Sequence, residues 1–214
     1  MGGPKKRVGI LISGRGSNMA SLIEAAREPD YPAEIALVAS NRPDAAGLGR
    51  AQASGIRTAV VDHTRFPERA SFDFEIGRVF DNAGVDLICL AGFMRILTDA
   101  FVEARPGRLL NVHPSLLPSF KGLHPHRQAL DAGVRIHGCT VHFVVPELDS
   151  GPIVAQAAVP VLPGDDEEAL ASRVLAEEHR LYPLGLDLVA SGRARLEGGR
   201  TVFASGNPTA LGLA

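Results

Sequence analysis

Asn111 and His113 stand two residues apart in the stretch LLNVHPSLLPSFKG (Leu109–Gly122), where an apolar run ends against a loop pinned by Pro114 and Pro118. On an extended backbone, residues two apart point to the same side. A side-chain amide and a protonated imidazole placed so could both donate to one developing oxyanion on a reacting carbonyl. A histidine in a loop is more often structural; the paired amide at a strand end is what favours chemistry. A histidine that acts as electrophile or proton carrier needs an orienting partner, and a carboxylate favours its charged form. PELDSGP (Pro146–Pro152) offers Asp149, in a turn rich in Gly and Pro. The same Asp could serve only an Asx turn. The contact with His113 would be long-range, so spacing leaves both readings open.

A second candidate is SGRGSN (Ser13–Asn18), between a strand and a helix, where backbone N–H groups and the helix dipole receive anions. It is not a dinucleotide fingerprint, because Met19 stands where the third glycine belongs and Ser40 and Asn41 stand where a ribose-binding acid is expected. No Gly-Lys-Ser or Gly-Lys-Thr marks a P-loop. A small-anion pocket remains, with Gly16 allowing close approach and Ser17 and Asn18 able to donate. A plain strand–helix turn would use the same residues.

Other chemistries lack their motifs. His124, His126, His137 and His142 cluster in sequence, but there is no H-E-x-x-H and no C-x-x-C, so no metal site is predicted. No G-x-S-x-G marks a serine hydrolase. Cys89 and Cys139 both lie inside apolar runs and read as buried free thiols. Hydrophobic residues make up 45% and charged residues 21%, as in a soluble globular protein. The net charge of −2 forces no basic face, which argues against nucleic acid as a partner. No apolar run is long enough for a membrane span. MGGPKKR lacks an apolar h-region behind it and is not read as a secretory signal, so the cytoplasm is expected.

The elements that must position these residues follow from periodicity. RVGILI, EIALVAS, RTAVVD, VDLICLAGF and RLLNVH read as strands, and the absence of polar alternation in VDLICLAGF means burial on both faces. Between them, NMASLIEAAR (with Met19, Leu22, Ile23 and Ala26 on one face), DAAGLGRAQASG closing at Gly55, and PERASFDFEIGRVFDNAG with Pro67 in its first turn read as helices. This alternation predicts an α/β fold: a Rossmann-like open sheet, mainly parallel, with helices on both faces. A short helix around HRQALDAG follows. RIHGCTVHFVV and PIVAQAAVPV are expected to add antiparallel strands in the C-terminal part. A long helix is predicted from Asp165, with a capping box from Asp165 to Glu168, a bend at Pro183 and an end at Gly192. RARLEGGRTVFA reads as a hairpin around Gly198 and Gly199. The last ten residues carry no core pattern and read as loose.

Together, ISGRGSN, LAGFMRIL, NVHPSLLPSFKG, GCTVHFVVPELDSGPIV and EEHRLYP resemble the phosphoribosylglycinamide formyltransferase family, folate-dependent enzymes of purine synthesis. The resemblance runs from about Val8 to Gly192, with every motif in family order. It implies a catalytic triad of Asn111, His113 and Asp149. It implies ribonucleotide phosphate binding by Gly16, Ser17 and Asn18, and a further ribonucleotide contact by Glu178. Folate contacts are implied for Arg69, Met94, Arg95, Ile96, Leu97, Asn111, Val145, Pro146, Glu147 and Leu148. Leu175 departs from a polar contact present in some relatives, and residues 113–132 correspond to a loop that can move. The implied reaction uses 10-formyltetrahydrofolate as cosubstrate, with no metal and no nicotinamide.

The expected organisation is a single formyltransferase domain over residues 1–214, with a phosphate-binding half (about 7–105) and a catalytic, folate-binding half (about 106–203). Methionyl-tRNA formyltransferase is a weaker match, since its first loop lacks the G-x-G-S-N form and only about twenty residues follow Gly192. Formyltetrahydrofolate deformylase shares the Asn–His–Asp core but usually carries an N-terminal regulatory domain. A non-catalytic nucleotide-binding module would need the anion loop but not the triad. The expected partners are small-molecule substrates, with neither nucleic acid nor membrane; a homodimer is left open.

Overall fold

The computed structural model describes residues 4–204. The chain alternates strand and helix: β1 (Lys6–Ile12), α1 (Ser17–Ala25), β2 (Ala33–Ser40), α2 (Ala46–Ala53), β3 (Thr58–Val60), α3 (Arg69–Asn82), β4 (Leu87–Leu90), α4 (Asp99–Glu103) and β5 (Leu109–His113). It continues through α5 (Pro125–Asp131), β6 (Ile136–Phe143), β7 (Ile153–Pro160) and α6 (Glu167–Ala190) to a hairpin of β8 (Ala194–Glu197) and β9 (Arg200–Phe203). The main sheet has seven strands in the order β3-β2-β1-β4-β5-β6-β7. The chain divides into two compact units, with the boundary after Leu110.

In the first unit, β2 pairs in parallel with β3 and with β1, and β1 pairs in parallel with β4. The order therefore reverses at β1. Because β-α-β crossovers are right-handed, α1 and α2 fall on one face and α3 on the other. Ligands in open α/β sheets bind beyond the strand ends at such a reversal. Val8, Ile10, Leu11 and Ile12 of β1 are fully buried, and every residue of β4 is buried. That is the double-sided burial the uniform apolar runs predict.

In the second unit, β6 and β7 are antiparallel, from Ile136 opposite Pro160 to His142 opposite Ile153. Helix α6 lies along both strands and turns Leu170, Val174, Leu181, Tyr182 and Leu186 inward. Gly185 of α6 sits where an added Cβ would be 2.6 Å from Val141, so the helix lies close on β6. The terminal hairpin turns at Gly198 and Gly199, with φ of 57° and 75°, the left-handed pair that a two-residue turn requires.

Several local expectations need correction. The α6 cap is Asp166, whose side chain accepts from the Ala169 N–H. Asp165 is engaged elsewhere, by the Leu162 N–H and by both Nη atoms of Arg173 at 2.7 and 2.9 Å. The end of the helix needs no correction: α6 runs through Pro183 to Ala190, and after its cap Ser191 comes the expected Gly192, left-handed at φ 75°. Pro67 lies just outside α3, whose cap is Glu68. Sequence periodicity did not reveal α4 or the 3-10 turn at His63–Arg65, each too short to show a repeat. The expectation of a loose C-terminal end falls on residues 205–214, outside the described residues.

Candidate active site

The first unit gathers the candidate anion loop and the 94–97 segment around its strand reversal. Beyond the end of β1, Ser13 donates its hydroxyl to Asn41 Oδ1 at 2.6 Å, and its oxygen accepts from the Met94 N–H at 2.9 Å. The Ser13 N–H donates to the Gly92 carbonyl. One serine thus ties the ends of β1, β2 and β4 together. Asn41, noted in the sequence only as an absent acid, is its partner. Gly16 caps α1 with φ 70°, and an added Cβ would lie 3.0 Å from Met19 and 3.1 Å from the Gly47 backbone. Only glycine meets both conditions comfortably. The first-turn N–H groups, including those of Ser17 and Asn18, are directed out of the start of α1, where an anion is favoured.

In the same unit, Met94 and Ile96 are exposed and Leu97 is buried. The Arg95 guanidinium lies 5.6 Å from the ring centre of Phe72, which stacks on Phe93. Arg69 is exposed in the first turn of α3.

The second unit brings Asn111, His113 and Asp149 into one network. His113, at the end of β5, places Nδ1 3.3 Å from Asp149 Oδ2, with both side chains only 8% exposed. Its Nε2 lies 3.0 Å from the Phe120 carbonyl. Both ring nitrogens therefore face acceptors, and only the imidazolium can donate to both. Asp149 Oδ2 also accepts from the Gly122 N–H at 3.0 Å. Asn111 Nδ2 lies 3.3 Å from His142 Nε2, and that nitrogen is 3.9 Å from Asp149 Oδ1. His142, which the sequence shows only as one of a group of histidines without a metal motif, thus stands between two of the candidate residues.

The loop after β5 is riveted to β6 and β7. Thr140 Oγ1 donates to the Ser115 carbonyl at 2.6 Å and accepts from the Leu117 N–H at 3.1 Å. Gln156 Nε2 donates to the Leu117 carbonyl and to Thr140 Oγ1. The Leu117–Pro118 bond is cis. Phe120, His124 and Asp149 have φ of 55°, 57° and 48°, an uncommon conformation for residues with side chains. Two of the three lie on groups that hold His113, and strained backbone of this kind concentrates at functional sites. An added Cβ on Gly151 would lie 1.7 Å from the Phe143 carbonyl, so the turn carrying Asp149 passes directly over the end of β6.

Burial pushes His142 below the ordinary imidazole range, against the opposing pull of the Phe143 carbonyl and the Asp149 carboxylate. Burial, joined by the charge of Glu178, pushes the Cys139 thiol up and keeps it unreactive. Glu178 itself is buried on the inner stripe of α6. Leu175 is half-buried one turn earlier, and in the loop before Asp149, Val145 is half-buried while Pro146, Glu147 and Leu148 are exposed. Among the described residues, no group of three or more His, Cys, Asp or Glu side chains could hold a metal ion. Likewise, no helix is long and apolar enough to cross a membrane.

A Rossmann-like mixed α/β sheet, with an Asn, a His and an Asp gathered at one strand end, defines the class. Within it, the family described as formyl transferase matches residues 6–186, and the chain belongs to that family. It is 46% identical over 187 residues to the phosphoribosylglycinamide formyltransferase of Escherichia coli K12, covering 87% of this chain and 88% of that protein. It is 52% identical over 199 residues to the trifunctional purine biosynthetic protein adenosine-3 of Bos taurus, covering 92% of this chain but only 20% of that protein's length. Among solved structures, glycinamide ribonucleotide transformylase 1 from Symbiobacterium toebii superposes with a TM-score of 0.90 at 48% identity, covering 93% of this chain and 94% of that one.

Proposed function

We propose that residues 1–214 act as one formyltransferase domain. It moves the formyl group of 10-formyltetrahydrofolate to the amino group of N1-(5-phospho-D-ribosyl)glycinamide, in purine biosynthesis in the cytoplasm. The observation that carries this is the buried His113–Asp149 pair beside Asn111 in a chain of the formyl transferase family.

The glycinamide amine attacks the formyl carbon, and the carbonyl electrons move to oxygen. Asn111 N–H and protonated His113 donate to that oxyanion, which the formyl oxygen reaches by competing with the Phe120 carbonyl for Nε2. Collapse reforms the carbonyl and breaks the bond to folate N10. The amine loses one proton and N10 gains one; Asp149 orients His113 and assists the transfer. Holding two substrates together contributes as much as the acid chemistry.

In this scheme Gly16, Ser17 and Asn18 take the ribose phosphate and Glu178 contacts the ribonucleotide. Arg69, Met94–Leu97, Asn111 and Val145–Leu148 contact the folate. Neither metal nor nicotinamide enters the reaction.

The test is to incubate the chain with 10-formyltetrahydrofolate, with and without the ribonucleotide. Formylglycinamide ribonucleotide and tetrahydrofolate should form only with both present. Formate release without the ribonucleotide would make the protein a hydrolase, and no reaction with either would overturn the proposal.

A further inference from the structure

We propose that His142 is a positioning residue: in its Nδ1–H tautomer it holds the Asn111 amide with the NH2 group toward the ring, leaving the second N–H of that group for the formyl oxygen. This rests on the formyl transfer proposed above, in which nothing else uses His142.

The tautomer follows from partners. His142 Nδ1 lies 2.9 Å from the Phe143 carbonyl, which can only accept, so Nδ1 carries the proton. The ring is 2% exposed, and burial disfavours its charged form. Nε2 is then a bare acceptor. It faces Asn111 Nδ2 at 3.3 Å. The flipped amide would set Asn111 Oδ1 against this lone pair, so the ring selects one of two amide orientations that the Asn111 side chain alone does not distinguish.

The ring has little freedom to turn. Asn111 and His113 face it from β5, Asp149 from the turn, and Phe143 from its own strand. Gly151 passes so near that an added Cβ would be 3.3 Å from Nδ1. Protonation of Nε2 would convert the acceptor into a donor. The amide would then rotate to present its oxygen, and an oxyanion donor would be lost.

The experiment is a double-mutant cycle in the full chain, read in kcat and in KM for both substrates. His142→Leu should lower kcat about ten- to a hundredfold, less than the full loss of an oxyanion donor, with each KM within about twofold. His142→Gln, whose amide oxygen can accept from Asn111, should recover most of the loss. In an Asn111→Ala background, His142→Leu should have no further effect on kcat. Additive losses, or a Gln variant as poor as the Leu variant, would overturn the proposal.

Nitrogen NMR of the wild-type ring decides independently of whether any variant folds: Nδ1 protonated and Nε2 bare at neutral pH is expected, and a proton on Nε2 overturns it. A wild-type chain inactive with both substrates would instead refute the proposed reaction while leaving the ring measurement decisive for the tautomer.

Discussion

His113 and Asp149 are joined at 3.3 Å, and the same carboxylate oxygen that faces His113 Nδ1 also accepts from the Gly122 N–H. The opposite ring nitrogen faces the carbonyl of Phe120, two residues before Gly122. One loop therefore holds the imidazole from both sides, directly through Phe120 and indirectly through Asp149. The ring's orientation and the loop's conformation are a single structural variable.

His113→Ala should lower turnover by at least about a hundredfold, the low end for losing a positioned acid or an oxyanion donor. Both substrates should still bind, because the ring is assigned to the transition state. Steady-state kinetics with binding titrations check this. A variant with near-wild-type turnover would remove His113 from the mechanism.

Asp149→Asn replaces an oxygen that serves two donors with an amide that also presents its own N–H groups. Even with its amide oxygen turned to both donors, the variant lacks the negative charge that strengthens the bond to the imidazolium, a loss of roughly 1.5–3 kcal/mol. The loop should open more often, and turnover should fall about tenfold or more. Hydrogen exchange at the Gly122 amide, measured beside kcat, is the check. Unchanged exchange with unchanged kcat would make Asp149 an ordinary turn residue.

Much of this was legible in the sequence because it is local. LICL reads as a doubly buried strand since every residue is apolar, and Gly198–Gly199 reads as a turn since both positions need positive φ. Asn111 and His113 announced themselves by a spacing of two. His142 did not, since GCTVHFVV reads as plain strand and its partner lies 31 residues away on another strand. The cap of α6 lies one residue beyond the expected Asp165 because Asp165 and Asp166 are equally good caps locally; Arg173, eight residues on, takes Asp165 and decides the matter. Pairings of this kind depend on which residues the fold brings together, and no propensity encodes them.

Ser17→Ala and Asn18→Ala should weaken ribonucleotide binding far more than folate binding. A lost hydrogen bond to a charged group amounts to roughly 1.5–3 kcal/mol. Gly16, whose φ of 70° and close approach to Gly47 shape the loop, remains in place in both variants. Separate calorimetric titrations with each substrate provide the measurement. Equal loss for both would end the assignment of this loop to phosphate.

Acid should destabilise the protein through His137. This ring is 1% exposed, packs edge-on against His126 and Phe120, and neither nitrogen makes a hydrogen bond of normal geometry. Burial first, and the neighbouring His126 second, lower it to about 4, with the Pro114 backbone opposing. In the unfolded chain the same group takes a proton near pH 6.5. Between those values the unfolded state binds more protons, so stability falls as pH falls from about 6.5 toward 4. The loss is complete below the folded value and amounts to at most about 3 kcal/mol. Above about 6.5 the group contributes no pH dependence. His126, His142 and His179, also lowered by burial, act in the same direction. His137→Phe keeps an aromatic ring in the cavity and removes the proton site, so its urea midpoint should fall less steeply between pH 6.5 and 4 than that of the wild type. Parallel slopes for the two proteins would show that His137 is not the group whose protonation unfolds the chain.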